Sequence, residues 1–134
     1  MARAPKVDTP VHWVGSSKTD LMRLPQEVVS DIGYALGVAQ LGGKHPGTKP
    51  WKGEGPGVLE IVERFDGDAY RGIYTIRFEG VIYVLHVFQK KSPSGVRTAK
   101  QDIERVRDRL KQARTHYETN YAHLTKGTAG KHGK

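Results

Sequence analysis

The residues best suited to chemistry are cations that fall on or beside two predicted strands. Lys90 and Lys91 close an apolar run of β-branched and aromatic residues, and Arg71 lies in the middle of the preceding run. An arginine offers a planar fork of donors and a lysine offers a mobile point charge, so such a set suits phosphate groups. We therefore expect an anion site where the sheet meets solvent.

Two more lysines precede these strands in a Gly- and Pro-rich loop, and all five cations surround one concave surface if the sheet curls. Lys49 and Lys52 are these loop residues, and each lysine taken alone is typical of a solvated surface charge. Arg71 differs, because a mid-strand arginine near a core needs a partner. Glu60 or Glu63 on the neighbouring strand is a candidate, and that pairing would make Arg71 structural.

His86 is the one histidine inside a strongly patterned segment. Its ordinary pKa suits a general acid or base near neutral pH, and the alternative is a hydrogen-bonded core histidine. The other histidines show no ligand spacing and there is no cysteine, so we expect neither a metal site nor a cofactor.

Composition bounds the class of protein. The 134 residues suit one domain, and the formal net charge of +8 indicates a polyanionic partner, although solubility alone is the alternative. There is no apolar run of membrane-spanning length and no hydrophobic signal core near the N-terminus, so we expect neither membrane insertion nor export. The absence of cysteine fits a cytoplasmic location.

Hydrophobic periodicity predicts an α+β domain over residues 1–118. The predicted order is a strand at 11–14, helices at 18–24 and 25–41, strands at 58–65, 69–78 and 81–90, and a helix at 98–117. Tight connections make the three later strands an antiparallel meander, whose last member is interior. Residues 44–57 are a functional loop or partly an edge strand. The basic tail, 119–134, is predicted to be disordered.

Alternation along the meander assigns side chains to faces. Arg71, Ile73, Thr75 and Arg77 are expected on one face of their strand. On the next strand, Ile82, Val84, His86, Phe88 and Lys90 are expected to share a face.

Several short sequence segments, taken in their order along the chain, resemble those of HigB-like toxins of phage-derived type, which belong to the RelE/ParE superfamily. They are LPQEV (24–28), IGYAL (32–36), KPWKG (49–53), YRGIY (70–74), VLHVFQKKS (84–92) and KQDIE (100–104). The resemblance implies a small antiparallel sheet flanked by helices. It also implies that the protein is the toxin of a type II toxin–antitoxin pair and that it cleaves messenger RNA at the ribosome without a metal. A helix-turn-helix, HigA-like antitoxin would neutralise it, with a heterotetramer as one possible assembly.

Two other functions remain open on the same fold. ParE-like members inhibit DNA gyrase, and a non-catalytic RNA- or protein-binding module is the third reading. Under the nuclease reading, Arg71 would stabilise the developing phosphorane-like charge, and Lys90 and Lys91 would support it or supply the acid.

Further roles follow from the same resemblance. His86 would act as acid or base, and Tyr74 or Tyr83 would stack on a base or donate a proton. Lys49 and Lys52, with Arg77, would hold the RNA backbone.

Overall fold

The structure is a computed structural model that describes residues 8–90 and 98–121. The elements are β1 (Val11–Trp13), α1 (Ser17–Met22), α2 (Gln26–Gln40), β2 (Thr48–Pro50), β3 (Val58–Phe65), β4 (Asp68–Thr75), β5 (Ile82–Lys90) and α3 (Lys100–Asn120). This order confirms the α+β prediction. Within the described ranges, no helix combines the length and the apolar character needed to cross a bilayer.

One five-stranded sheet has the order β1-β5-β4-β3-β2. The pairs β3–β4 and β4–β5 are antiparallel, which confirms the predicted meander, and β5 is interior as expected. β2 pairs antiparallel with β3, so the long loop does contribute an edge strand. β1 runs parallel to β5, a pairing that the sequence did not indicate.

Helices cover both faces of the sheet. On one face, Leu21 of α1 and Ile32 of α2 pack with Tyr74 and Val84 of the sheet. On the other face, Val106 and Leu110 of α3, with neighbours, pack over Ile73, Tyr83 and Leu85. Burial on both faces explains why β5 is an almost continuous apolar run.

A bulge in β5 shows that the face predicted for the side chains in the first half of this strand is wrong. His86 pairs with Ile73, but Val84 already pairs with the next residue, Tyr74, so Leu85 is an extra residue. Such a bulge shifts the alternation of side chains by one position. Ile82 and Val84 therefore face α1 and α2, whereas His86 and Phe88 lie on the α3 face.

Some element ends differ from the predictions. β4 ends at Thr75, so Arg77 lies beyond the strand. α3 continues to Asn120, which places the first two residues of the predicted tail in the helix. The rest of that tail lies outside the described residues.

Arg109 is a charged residue that α3 buries together with its apolar side chains. It is buried between α3 and β5, where its Nη1 donates to the carbonyl oxygen of Leu85 (3.0 Å) and its Nη2 to Ser16 Oγ (2.9 Å). Arg109 thus supplies a donor to the bulged residue. Gly15, with φ +57°, lies so close that an added Cβ would be 2.9 Å from Arg109 Nε.

We predict that Arg109→Met lowers the free energy of unfolding by about 2 kcal/mol, because the buried Leu85 carbonyl loses its side-chain donor. Urea unfolding with an unchanged m-value measures this. Arg105→Met, at an exposed position on the same helix, is the matched control and should change stability by less than about 0.5 kcal/mol. Equal effects of the two variants would contradict the role given to Arg109.

Candidate functional site

A concave pocket of about 480 Å³ opens on the α3 face of the sheet. Residues from β2 to β5 line it, and residues before and within the first turn of α3 close one side. The lining residues are Lys49, Pro50, Trp51, Lys52, Glu60, Arg71, Lys90, Thr98 and Ile103. Four of the five cations expected around one surface are thus brought together. The fifth, Lys91, lies outside the described residues.

Strand register explains this clustering. Lys49 pairs directly with Glu60, so both side chains emerge on one face. Arg71 pairs with Val62, two residues from Glu60, which makes Glu60 and Arg71 diagonal neighbours. Lys90 is diagonal to Arg71 in the same way, because Arg71 pairs with Phe88. A row of charges therefore crosses β2, β3, β4 and β5.

Arg71 and Glu60 form a buried ion pair. Arg71 Nε lies 2.7 Å from Glu60 Oε2, and Arg71 is only 4% exposed. The Nε–H bond is not directed at that oxygen, so the contact is electrostatic more than a well-aligned hydrogen bond. Arg71 Nη1 has no hydrogen-bond acceptor among the described residues. Glu60 therefore anchors the arginine, and part of the donor capacity of the guanidinium stays unpaired among the described residues.

The lysines differ in their surroundings. Burial, followed by the nearby positive charge of Arg71, lowers the pKa of Lys90, although Glu60 opposes this shift. Lys49 and Lys52 are exposed at the rim of the pocket. An anion that enters would thus meet mobile charges first and the fixed guanidinium below them.

His86 does not line the pocket. It is buried beneath α3, its Nε2 lies 2.8 Å from Asp102 Oδ1, and its ring stacks on Phe88 at 4.6 Å. Burial lowers the pKa of His86, and the hydrogen bond and charge of Asp102 oppose this. This placement favours the core-histidine alternative: His86 ties β5 to the first turn of α3, next to Ile103 of the pocket.

The two tyrosines proposed for RNA contacts lie away from the pocket. Tyr74 faces α2 on the opposite side of the sheet, and burial raises its pKa. Tyr83 is fully buried under the end of α3, with its hydroxyl 2.8 Å from His116 Nδ1. Burial and the nearby Tyr117 and Tyr121 raise the pKa of Tyr83 to about 12. Neither geometry supports the role expected from the sequence.

Arg77 also has a structural environment. Its guanidinium donates to the backbone carbonyl oxygens of Glu54 and Pro56, which holds the loop before β3. The same loop is tied to α3 by Arg107, whose Nε lies 3.0 Å from Glu54 Oε2. Arg77 is therefore a loop anchor outside the pocket, and the expectation of a contact with RNA is not supported by its position.

Sequence reasoning missed two features of the pocket. Glu60 was considered only as a partner for Arg71, yet it also lines the cavity. Trp51 was not singled out, although it lines the pocket with a buried indole. The signal for Glu60 was a charged residue on the strand predicted to lie beside Arg71. The sequence around Trp51 gave no comparable signal. In the described ranges, no three His, Asp or Glu side chains are placed to hold a metal ion.

Comparison with known protein families identifies the family to which the chain belongs. The profile of the family described as phage derived protein Gp49-like (DUF891) matches residues 19–111, a span that contains the charged row. The chain belongs to this Gp49-like family. Among solved structures, the Gp49-like chain is similar to a chain of the toxin–antitoxin complex RelBE2 from Mycobacterium tuberculosis, with 24% identity and a TM-score of 0.44 over 62% of this chain and 99% of that chain. A comparison with curated proteins gives no match.

The lowered pKa of His86 predicts an acid-sensitive fold. The unfolded chain takes up a proton near the ordinary value of 6.5, whereas the folded state resists it, so stability is lost as the pH falls below 6.5. His86→Gln keeps an amide that can donate to Asp102 and removes the titration.

We expect this variant to lose less unfolding free energy than the wild type between about pH 7 and pH 5. Urea unfolding at each pH measures the difference. His12, whose pKa is also lowered by burial, accounts for part of the remaining slope. Identical pH dependence in wild type and variant would show that His86 titrates alike in both states.

Proposed function

We propose that this Gp49-like protein is the toxin of a type II toxin–antitoxin pair, a RelE-type endoribonuclease that cleaves messenger RNA at the ribosome without a metal. One observation carries the proposal: the buried Arg71, anchored by Glu60, lines a concave pocket with Lys49, Lys52 and Lys90. Preorganised cations are what charge development on a phosphate requires.

The reaction would begin with attack of the ribose 2′-hydroxyl on the adjacent phosphorus. The P–O5′ bond breaks, which gives a 2′,3′-cyclic phosphate and a 5′-hydroxyl end. Arg71 is the proposed donor to a non-bridging oxygen on which charge grows, and its buried Nη1 has no acceptor among the described residues. Glu60 is the one carboxylate among the described lining residues, and we assign it as the acceptor of the 2′-hydroxyl proton.

The leaving 5′ oxygen needs a proton, and Lys90 is the proposed donor. A lysine becomes a better acid near neutral pH when its pKa falls, and burial and Arg71 shift Lys90 in that direction. Lys91 remains a proposed supporting charge. Lys49 and Lys52 at the rim would hold the flanking RNA backbone through their charges.

The proposed partner is a helix-turn-helix antitoxin of HigA type. Membership of the Gp49-like family and the HigB-like sequence segments support a toxin–antitoxin role. The formal net charge of +8 supports a polyanionic target. Gyrase inhibition requires no nuclease site, so the pocket favours the RNA reading.

The principal test uses a reconstituted translation system and mapping of message ends. We expect Arg71→Ala to slow single-turnover cleavage by about 100-fold to 1,000-fold, because a preorganised donor to the transition-state charge is lost. Lys90→Ala should also slow it. Arg23→Ala, at an exposed arginine beyond α1, is the control for the loss of one positive charge and should cleave like the wild type.

Wild-type cleavage rates in Arg71→Ala would remove Arg71 from the site. Inhibition of gyrase supercoiling by a wild-type protein that leaves ribosome-bound message intact would replace the nuclease proposal with the gyrase one.

The role of Lys90 predicts a specific pH dependence. An acid must be protonated, so the wild-type rate should fall as the pH rises through the lowered pKa of Lys90, below its ordinary value of 10.5. In Lys90→Arg the cation persists but is a poor acid, so the rate should be lower and this alkaline fall should vanish. Single-turnover cleavage across the alkaline range measures both. An alkaline fall that persists unchanged would assign the acid to another group.

A further inference from the structure

Trp51 places a buried indole against the pocket. It is 6% exposed, and its backbone N–H donates to the carbonyl oxygen of Val58 at 2.9 Å, which fixes the start of the loop after β2. The ring belongs to the α3-face core together with Val58, Ile73 and Phe88. Its Nε1–H has no acceptor among the described residues, although the residue lines the pocket.

An indole N–H buried in this way is costly to the folded protein. Buried tryptophans usually find an acceptor, because a buried donor that is left unpaired loses the hydrogen bonds it had to water. A phenylalanine or an aliphatic side chain would fill the same core position without that cost. The unpaired N–H therefore points to a ligand that supplies the acceptor.

The other groups in the pocket define what that ligand must be. The described lining residues bring several cationic donors, Lys49, Lys52, Arg71 and Lys90, and one carboxylate, Glu60, which is held in the ion pair with Arg71. The pocket is thus rich in donors and poor in acceptors. A phosphodiester complements it, because each non-bridging oxygen accepts and neither donates.

We propose that Trp51 is a substrate-binding residue whose Nε1–H donates to one non-bridging oxygen of the phosphodiester that Arg71 binds. The inference rests on the proposed function for the identity of the substrate as RNA. The indole belongs to the loop after β2 and Arg71 to β4, so the two donors approach the phosphate from different elements. The site then distinguishes the two non-bridging oxygens.

The experiment replaces only the indole N–H of Trp51 and leaves the packing of the core intact. Trp51→3-benzothienylalanine, introduced by suppression of a stop codon, exchanges the indole N–H for sulfur in a ring of nearly the same shape. The probe is an RNA dinucleotide whose one linkage follows a 2′-deoxy sugar and therefore cannot be cleaved by a 2′-hydroxyl. This linkage carries oxygen or, as either phosphorothioate diastereomer, sulfur. Binding to the full-length protein is measured at low salt. The same exchange at Trp13, on β1 and away from the pocket, is the matched control.

We expect the Trp51 variant to bind the all-oxygen RNA at least about tenfold more weakly, since it loses a hydrogen bond to a charged group. For the wild type, one diastereomer should bind more weakly because sulfur replaces the oxygen that the indole contacts. That penalty should vanish in the Trp51 variant and persist in the Trp13 variant, with thermal midpoints like that of the wild type.

Three results would overturn the proposal. The first is wild-type affinity and wild-type sulfur effects in the Trp51 variant. The second is weaker binding with unchanged sulfur effects, which would assign the N–H to a base carbonyl. The third is no measurable binding of the RNA by the wild type. Because the probe cannot be cleaved, the binding pattern can hold in a protein that proves to have no nuclease activity, so the two proposals fail separately.

Discussion

The ion pair between Arg71 and Glu60 is the interaction on which the character of the pocket depends. A guanidinium on the inner face of β4 is too costly to bury alone, and the diagonal position on β3 supplies its counter-charge at 2.7 Å. Removal of either partner leaves an uncompensated buried charge. The pair also fixes the position of the Arg71 guanidinium at the wall of the cavity. Stability and the candidate chemistry therefore depend on the same two residues.

The bulge at Leu85 decides what surrounds that pair. It turns His86 and Phe88 toward α3 after Ile82 and Val84 have faced α1 and α2. His86 then reaches Asp102 and holds the first turn of α3 beside the pocket. Arg109 satisfies the Leu85 carbonyl from the same helix. The helix that closes the pocket is thus fastened by polar contacts to the irregular part of β5.

The sequence was informative about the elements and about the cluster of cations, because alternation and register are local properties. The antiparallel meander and the expectation of one concave surface around Lys49, Lys52, Arg71 and Lys90 came from those patterns. The face on which His86 lies could not be predicted in this way, because a run of apolar residues does not reveal a bulge. The burial of Arg109 and the parallel pairing of β1 depend on contacts between distant segments. Trp51 was missed for the same reason.

Arginine side-chain NMR offers the most direct measurement of whether RNA binds at this ion pair. The Nε–Hε signals of Arg71, Arg77 and Arg109 report three guanidinium groups with different partners in one protein. On titration with a short RNA that carries a 2′-deoxy linkage, the account predicts a large shift of the Arg71 signal with the other two nearly unchanged. Saturable binding that leaves Arg71 unperturbed would contradict it and place the RNA elsewhere on the protein.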